Sequence, residues 1–467
     1  MSELEECRSK IRETDKEILT LIEQRLTTGT RLAGIKRQRK LPIIDSVAEQ
    51  AVINNLVKSA DELGIDERFA RRLGGLLIEE TVRVEDRDQP ATSKDQLMKQ
   101  MFELTQKLMS EGRKIISFEI GEPNFPTPKK VIQGLDSTFR KKKVIGYGPA
   151  AGLLQLRQAI AVELNRQHKT TIDPDQILIT PGARFAIFAT ITSYVSSLER
   201  VVIPQPAWPA YEECVNFVGG RVIPLKTNFE DNWDIDSRGL EAELEKGVRL
   251  LILNSPSNPT GKVISKQKFE KIVDLAERYN TMILSDEVYD RYVRSPAPSI
   301  LGGKHQNFVY VNSFSKQFSL TGWRIAYLVS SRENVLKIRR VLQTAVTCVP
   351  EFIQNAALVA MKRARNEAER QIKTILEKVD FTCDELSKID VSFNRPEGAF
   401  YVFPKANKPK FDSTAFAKRL LEKYGVSITP GQSFGDYPEF FRLAVSLPKV
   451  QIPAAVKSIG EALNSWP

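Results

Sequence analysis

The chain has 467 residues, 42% of them hydrophobic and 27% charged, with a net charge of +10; this allows two or three domains of ordinary globular composition with an ample core. Two histidines and four scattered cysteines (Cys7, Cys214, Cys348, Cys383) exclude a multi-histidine metal centre and show no paired ligand spacing, so no metal is expected and the cysteines read as reduced thiols of a cytoplasmic protein. Residues 1–90 carry 16 Lys/Arg against 18 Asp/Glu, so the positive excess is spread over the remainder, which fits anionic small substrates rather than nucleic acid. The polar Met-Ser-Glu-Leu-Glu-Glu start is unlike a signal peptide, and no apolar run approaches membrane-spanning length, so no membrane partner is expected.

Apolar Ile11, Ile18, Leu19, Ile22 and Leu26 recur at helical spacing and predict one long helix over 3–39, broken by Pro42. At 1.5 Å per residue that helix would span roughly 55 Å, too long for one small domain to pack. A second helix is predicted over 46–63, stopped by Gly64, and a third over 66–87. Three helices, one overlong, imply a bundle completed by a second copy. Arg25 and Lys36 share a face, and Asp45/Glu49 and Thr81/Glu85 are i,i+4 pairs. Spacing alone favours an amphipathic bundle with solvated charges.

The stretch 88–93, with Pro90, reads as a short linker, and a new helix begins near Lys94. Short β-rich runs then alternate with helical stretches, at 177–180, 201–204, 221–225, 250–253, 282–285, 308–312 and 325–329. Seven strands with helical connections imply a mostly parallel sheet covered on both faces, with ligands bound beyond the carboxyl ends of the strands.

The densest motif is Ser-Phe-Ser-Lys-Gln-Phe-Ser-Leu-Thr-Gly-Trp-Arg over 313–324. It sets Lys316 among small hydroxylated residues, a setting suited to Schiff-base chemistry, while Ser313, Ser315 and Arg324 offer donors to a phosphate. Upstream stand Gly182 in Thr-Pro-Gly-Ala-Arg, Asn258 in Asn-Ser-Pro-Ser-Asn-Pro-Thr-Gly, and Asp286 and Tyr289 in Ser-Asp-Glu-Val-Tyr. In this order and spacing the motifs resemble the class I/II aminotransferases, pyridoxal-phosphate enzymes of fold type I, over roughly 93–467.

The resemblance implies an α/β fold with a large domain at about 140–345 and an α+β small domain from about 93–139 and 346–467. It also implies roles. Lys316 holds the cofactor and then moves a proton. Asp286 pairs with the ring nitrogen, Tyr289 and Asn258 address the ring oxygen, and Trp208 stacks on the ring. Gly182, Ala183, Arg184, Ser313, Ser315 and Arg324 surround the phosphate, joined by Tyr147 of a neighbouring subunit. Gly121 lies over the substrate, Arg442 grips its α-carboxylate, and Arg184 is in position to read a distal acid.

In the helical segment, Cys-Arg8-Ser-Lys-Ile-Arg-Glu-Thr-Asp15, Glu-Gln-Arg25, Gly-Ile-Lys36, Leu-Pro-Ile-Ile-Asp45 and Glu49 resemble the all-helical (type II) chorismate mutases, over 1–88. That resemblance implies carboxylate contacts from Arg25 and, across subunits, Arg8. Lys36 would address the ether oxygen, Asp45 and Glu49 the hydroxyl region, and Thr81 a carboxylate. Glu85 falls where the family has a glutamine or glutamate facing the ether oxygen. Ala48 departs from the pattern, standing where many members carry arginine.

The combined expectation is a bifunctional homodimeric enzyme of aromatic amino-acid biosynthesis. It would rearrange chorismate to prephenate and transaminate between aspartate or glutamate and prephenate or an aromatic 2-oxo acid. Two other readings stay open at this point: an aspartate aminotransferase with a non-catalytic or regulatory mutase-like domain, and an aminotransferase-like transcription regulator. Against the regulator, residues 1–90 are net acidic and lack a short helix–turn–helix with a basic second helix.

Overall fold

The computed structural model describes residues 3–39, 46–85, 94–141, 146–303 and 305–467. The chain divides into two compact units, Met1–Thr92 and Ser93–Pro467.

The first unit consists of α1 (Glu3–Gln38), α2 (Ser46–Glu62) and α3 (Glu67–Glu85). Glu3, Glu5 and Glu6 place negative charge in the first turn of α1, where the helix dipole favours it. Past α2 the chain turns at Gly64, whose φ of +68° is the left-handed conformation that glycine adopts without strain. Asp66 caps α3 by accepting from Phe69 N at 3.0 Å. The C-terminal half of α1 packs on α3 through small residues, with Gly29 and Ala33 buried. Its N-terminal half does not: Leu4, Ile11, Ile18 and Leu19 are 49–67% exposed.

The second unit opens with α4 (Lys94–Ser110). Its large sheet is built from β1 (Ile177–Thr180), β2 (Arg200–Gln205), β3 (Arg221–Lys226), β4 (Leu250–Asn254), β5 (Met282–Asp286), β6 (Phe308–Ser313) and β7 (Ala326–Val329). Their spatial order is β1-β7-β6-β5-β4-β2-β3, and β7 runs antiparallel to both of its neighbours while the other pairs are parallel. Side chains alternate between two buried faces. Val201, Ile203, Leu250, Ile252, Leu284 and Val309 fill one, and Val202, Leu251, Leu253, Ile283 and Tyr310 fill the other. Burial on both sides is why these strands read as continuous apolar runs instead of alternating ones.

A second core, including Phe118, Phe400, Phe416, Phe441 and Ile459, surrounds β8 (Tyr401–Val402), β9 (Thr429–Pro430) and β10 (Phe441–Ala444). These pair antiparallel in the order β8-β10-β9, setting Arg442 across from Thr429. Met101 and Leu108 anchor α4 to the same core.

Candidate active site

Three parallel strands end side by side. Asn254 closes β4 and Asp286 closes β5 in register with it, while Ser313 closes β6. The chain then turns directly into α5 (Phe314–Gln317), the short helix that carries Lys316. Around these ends lies a cavity of about 460 Å³ lined by Gly121, Ala183, Arg184, Trp208, Asn258, Asp286, Tyr289, Ser313, Ser315, Lys316, Arg324 and Arg442. Positions scattered over more than three hundred residues of sequence are thus brought to one place. Gly182 stands just outside that wall. Tyr147 is 90% exposed, apart from the cavity lining.

Lys316 Nζ donates to the main-chain oxygen of Gly121. Burial, helped by Arg442 and Arg324, lowers its pKa to about 8, against the pull of Glu122 and Asp286. Asp286 is raised to about 6 by burial, with Tyr211 and the Val288 N–H pulling it back. Its Oδ2 accepts from Tyr211 Oη at 2.6 Å, and no lysine or arginine forms an ion pair with it among the described residues. A fully desolvated carboxylate of this kind is stabilised by a cationic ring N–H.

Tyr289 Oη and Tyr401 Oη are 2.7 Å apart, and Tyr401 fills the space where any side chain at Gly121 would stand. Asn254 Nδ2 donates to Asp286 O at 3.0 Å and its Oδ1 accepts from Asn258 N at 2.8 Å, tying the Asn258 loop to the end of β5. Tyr211 and Tyr401 carry no motif of their own, and Asn254, although it opens the Asn-Ser-Pro-Ser-Asn-Pro-Thr-Gly stretch, is not among the predicted site residues. Tyr211 does stand three residues after Trp208, one turn along, and that spacing was the available signal.

At the phosphate end the geometry corrects one expectation. Gly182 does not offer its own N–H, which donates to Thr180 O at 2.8 Å in the tight strand-to-helix turn. Its contribution is spatial: with φ +96° and no side chain, it leaves room for the Arg324 guanidinium, which a β-carbon would overlap. The Ser313 hydroxyl donates to Ile325 O at 3.2 Å and accepts from Ser315 N at 3.0 Å, so it caps the short helix while lining the cavity. The groups available to an anion are the start of the helix at Ala183–Tyr194, the Ser313 and Ser315 side chains and Arg324. Arg184 lies over the face of Trp208, 4.8 Å from its centroid.

Arg442 is fully buried, and burial lowers its pKa. Nη1 donates to Asn258 Oδ1 (3.0 Å), and Nη2 donates to Glu119 O (2.6 Å) and Thr429 Oγ1 (3.2 Å). Of five guanidinium N–H groups, this leaves two for a ligand carboxylate, one of them the partnerless Nε–H. The residues present therefore fit pyridoxal phosphate: an amine, an unpaired buried acid, an aromatic face and an anion-binding end in one cavity.

In the first unit, Arg25 Nη1 donates to Leu77 O (2.6 Å) and Thr81 Oγ1 (2.5 Å), and Thr81 Oγ1 donates to Leu77 O (2.6 Å). Partial burial lowers the Arg25 pKa. Lys36 is half-buried and Arg8 and Ala48 are exposed. Asp45 and the side chains of Glu49 and Glu85 lie outside the described residues. Arg8 and Arg25 are both on the unbroken α1, ~25 Å apart along its axis.

The sheet, the lysine turn and the Arg442 pocket define an aminotransferase. Residues 113–459 match the family Aminotransferase class I and II, to which the chain belongs, and residues 7–86 match Chorismate mutase type II. The chain is thus an aminotransferase with a chorismate mutase domain ahead of it. Among similar proteins, aspartate aminotransferase of Thermotoga maritima is 32% identical over 77% of this chain and 94% of its own. A probable aspartate/prephenate aminotransferase of Aquifex aeolicus is 30% identical over 77% of this chain and 93% of its own. A crystal structure of the Thermotoga maritima enzyme superposes with a TM-score of 0.75 over 79% of this chain and 97% of that one.

Proposed function

We propose that this chain converts chorismate to prephenate in its first unit and, in its second, transaminates prephenate or an aromatic 2-oxo acid with aspartate or glutamate as donor. The observation that carries the transaminase half is the convergence of Lys316, Asp286 and Arg442 on one cavity. The mutase domain ahead of it and the aspartate/prephenate relative support the choice of acceptor.

Pyridoxal phosphate, when bound, supplies an electron sink for negative charge at the substrate α-carbon. The rest is work for the chain's own residues. Asp286 holds a proton on the ring nitrogen, and Tyr211 keeps that carboxylate oriented. Arg442 takes the α-carboxylate and so aims the α C–H bond. Lys316, its amine made less basic by burial, would remove that proton and return it to the cofactor carbon on the far side of the shared nitrogen. Met98 and Phe102 of α4, with Arg184 and Lys99, line the outer wall where a ring and a second acid group would lie.

For the mutase, the rearrangement is pericyclic and needs no nucleophile; it needs a dianion held compact and cations beside the breaking ether bond. Arg25, fixed by Leu77 and Thr81, suits one carboxylate. Arg8 is too far along α1 to share that site within one chain, and the exposed Ile11, Ile18 and Leu19 give a second copy something to cover. We therefore propose a homodimer. All four cysteines are free, in keeping with a cytoplasmic setting.

The test supplies chorismate and aspartate to the purified, cofactor-loaded chain and follows chorismate loss and aminated product by chromatography. The reading expects chorismate to disappear and an aminated ring acid to accumulate. Chorismate left intact would sink the mutase half. Amination restricted to oxaloacetate and 2-oxoglutarate would sink the choice of acceptor.

A further inference from the structure

Glu119 lies in the apolar run Ile-Ser-Phe-Glu-Ile-Gly, yet its carboxyl is not a surface charge. The residue is 5% exposed and lines the same cavity as Arg442. Its main-chain oxygen takes Arg442 Nη2 at 2.6 Å. Its Oε2 accepts from Ser427 Oγ (2.7 Å) and Thr105 Oγ1 (3.0 Å), while Oε1 is buried without a partner. Thr105 also donates to Met101 O at 2.9 Å, so its single hydroxyl proton is shared between that oxygen and Glu119. A buried acid with one unsatisfied oxygen, next to the arginine that is to receive a ligand carboxylate, is a costly arrangement to keep ionised.

We propose that Glu119 is a proton-linked gate on the Arg442 pocket, ionised as counter-charge to Arg442 when the pocket is empty and protonated when an acid ligand seats there. The inference rests on the reading of Arg442 as the carboxylate grip.

The groups facing Glu119 are Thr105 from α4, Ser427 and Thr429 from neighbouring strands, and Arg442 from β10. Lys99, Lys316, Glu122, Asp286, Tyr289 and Tyr401 line the rest of the cavity. Burial pushes the Glu119 carboxyl above the usual glutamate range, and the two hydroxyls and Arg442 draw it back. A ligand carboxylate on Arg442 cancels that last attraction, adds a like charge and excludes water. All three raise the proton affinity of Glu119. Binding must then take up protons, and affinity must fall as pH rises above the empty-site value, by up to about tenfold per pH unit.

The experiment measures maleate binding to the pyridoxal-phosphate-loaded full chain by calorimetry, from pH 6 to 8.5, in two buffers of different ionisation heat. Wild type is compared with Glu119→Gln, which keeps shape and removes the charge. The variant should take up up to one proton fewer per maleate, show a flatter pH profile and bind about tenfold tighter at pH 8. Equal proton uptake and parallel profiles overturn the proposal. Should Glu119→Gln not fold, Ser427→Ala decides. Losing a donor to Oε2 should move the fall in affinity to higher pH, and an unmoved profile overturns the proposal. Arg442→Ala separates the underlying reading: maleate binding unchanged in that variant means the carboxylate sits elsewhere, and both ideas fail together.

Discussion

Tyr211 Oη donates to Asp286 Oδ2 across 2.6 Å, and both residues are buried at the end of β5. In the cofactor-free protein this is the strongest bond to a carboxylate that otherwise has only the Val288 N–H, at 3.3 Å. A hydrogen bond to a charged group contributes about 1.5–3 kcal/mol. Tyr211→Phe should therefore cost the cofactor-free chain about 2 kcal/mol at pH 8. At pH 5, below the Asp286 pKa of about 6, the loss should be smaller because the acceptor is neutral. Urea unfolding at the two pH values checks this; an equal loss at both would mean that Asp286 is not ionised at pH 8.

Asp286 itself predicts a pH-dependent stability. Its pKa is raised from 3.8 to about 6 in the folded chain, so protonation favours the native state. That stability is fully present below 3.8, declines as pH rises, and is gone above about 6. The difference corresponds to roughly 3 kcal/mol. Cofactor-free Asp286→Asn should match wild type near pH 4 and exceed it above pH 6. Loading pyridoxal phosphate should reverse the order, because the carboxylate then gains its cation. Thermal unfolding of both proteins, empty and loaded, gives the four comparisons.

Much of the second unit was legible because burial on both faces of the sheet writes itself as unbroken apolar runs. The run at 201–204 became β2, longer by one residue at each end. The antiparallel sense of β7 was not legible, since Ala326–Val329 is as apolar as its parallel neighbours. At the site, Lys316, Asp286 and Arg442 could be named because each sits in a recognisable local motif. Tyr401 and Glu119 could not, and Asn254 heads the Asn258 motif without being singled out by it. Tyr401 and Glu119 act through contacts made in three dimensions, with partners 112 and 323 residues away, and Asn254 ties its own loop to the main chain of Asp286, 32 residues on. The capping bond of Ser313 was not legible either: its hydroxyl also holds Ser315 N and so fixes the turn into the lysine helix.

Lys316 gives a kinetic prediction. With a pKa lowered to about 8, its amine is half neutral there, and only the neutral amine attacks an aldehyde. Capture of pyridoxal phosphate by the cofactor-free chain should accelerate with pH and level off above about 8, where an ordinary lysine would continue rising to 10.5. Glu122 supports the protonated form, so Glu122→Gln should shift the plateau to lower pH. Stopped-flow absorbance from pH 6.5 to 10 follows it. A rise continuing past pH 10 would place Lys316 in water.

The two units should fail independently. Lys316→Ala removes the lysine that contacts Gly121 O in the cavity, so transamination should drop at least a thousandfold, as expected for losing a covalent and proton-transfer group. The bound-cofactor absorbance should vanish with it. Chorismate turnover should stay within about twofold, because the mutase rearrangement needs no group from that cavity. Parallel loss of both activities in a folded variant would refute separate sites.

Gly29 provides the sharpest probe of the mutase unit. It lies inside α1, where replacing glycine by alanine ordinarily stabilises a helix by about 1 kcal/mol. Here a β-carbon would stand 2.5 Å from Thr81 Cγ2 on α3. Thr81 is β-branched and bonded to Leu77 O, so it cannot swing aside cheaply. The helix gain should therefore be outweighed by overpacking, which typically costs 1–3 kcal/mol. Moving Thr81 also releases Arg25, whose guanidinium it holds. Gly29→Ala should lower mutase kcat/KM by at least tenfold, chiefly through KM for the dianionic substrate. Transamination in the same polypeptide is the internal control and should be unchanged. Thr81→Ser, which keeps the hydroxyl and deletes the offending methyl, should restore the activity of the Gly29→Ala chain; absence of that rescue would separate Gly29 from the Arg25 site.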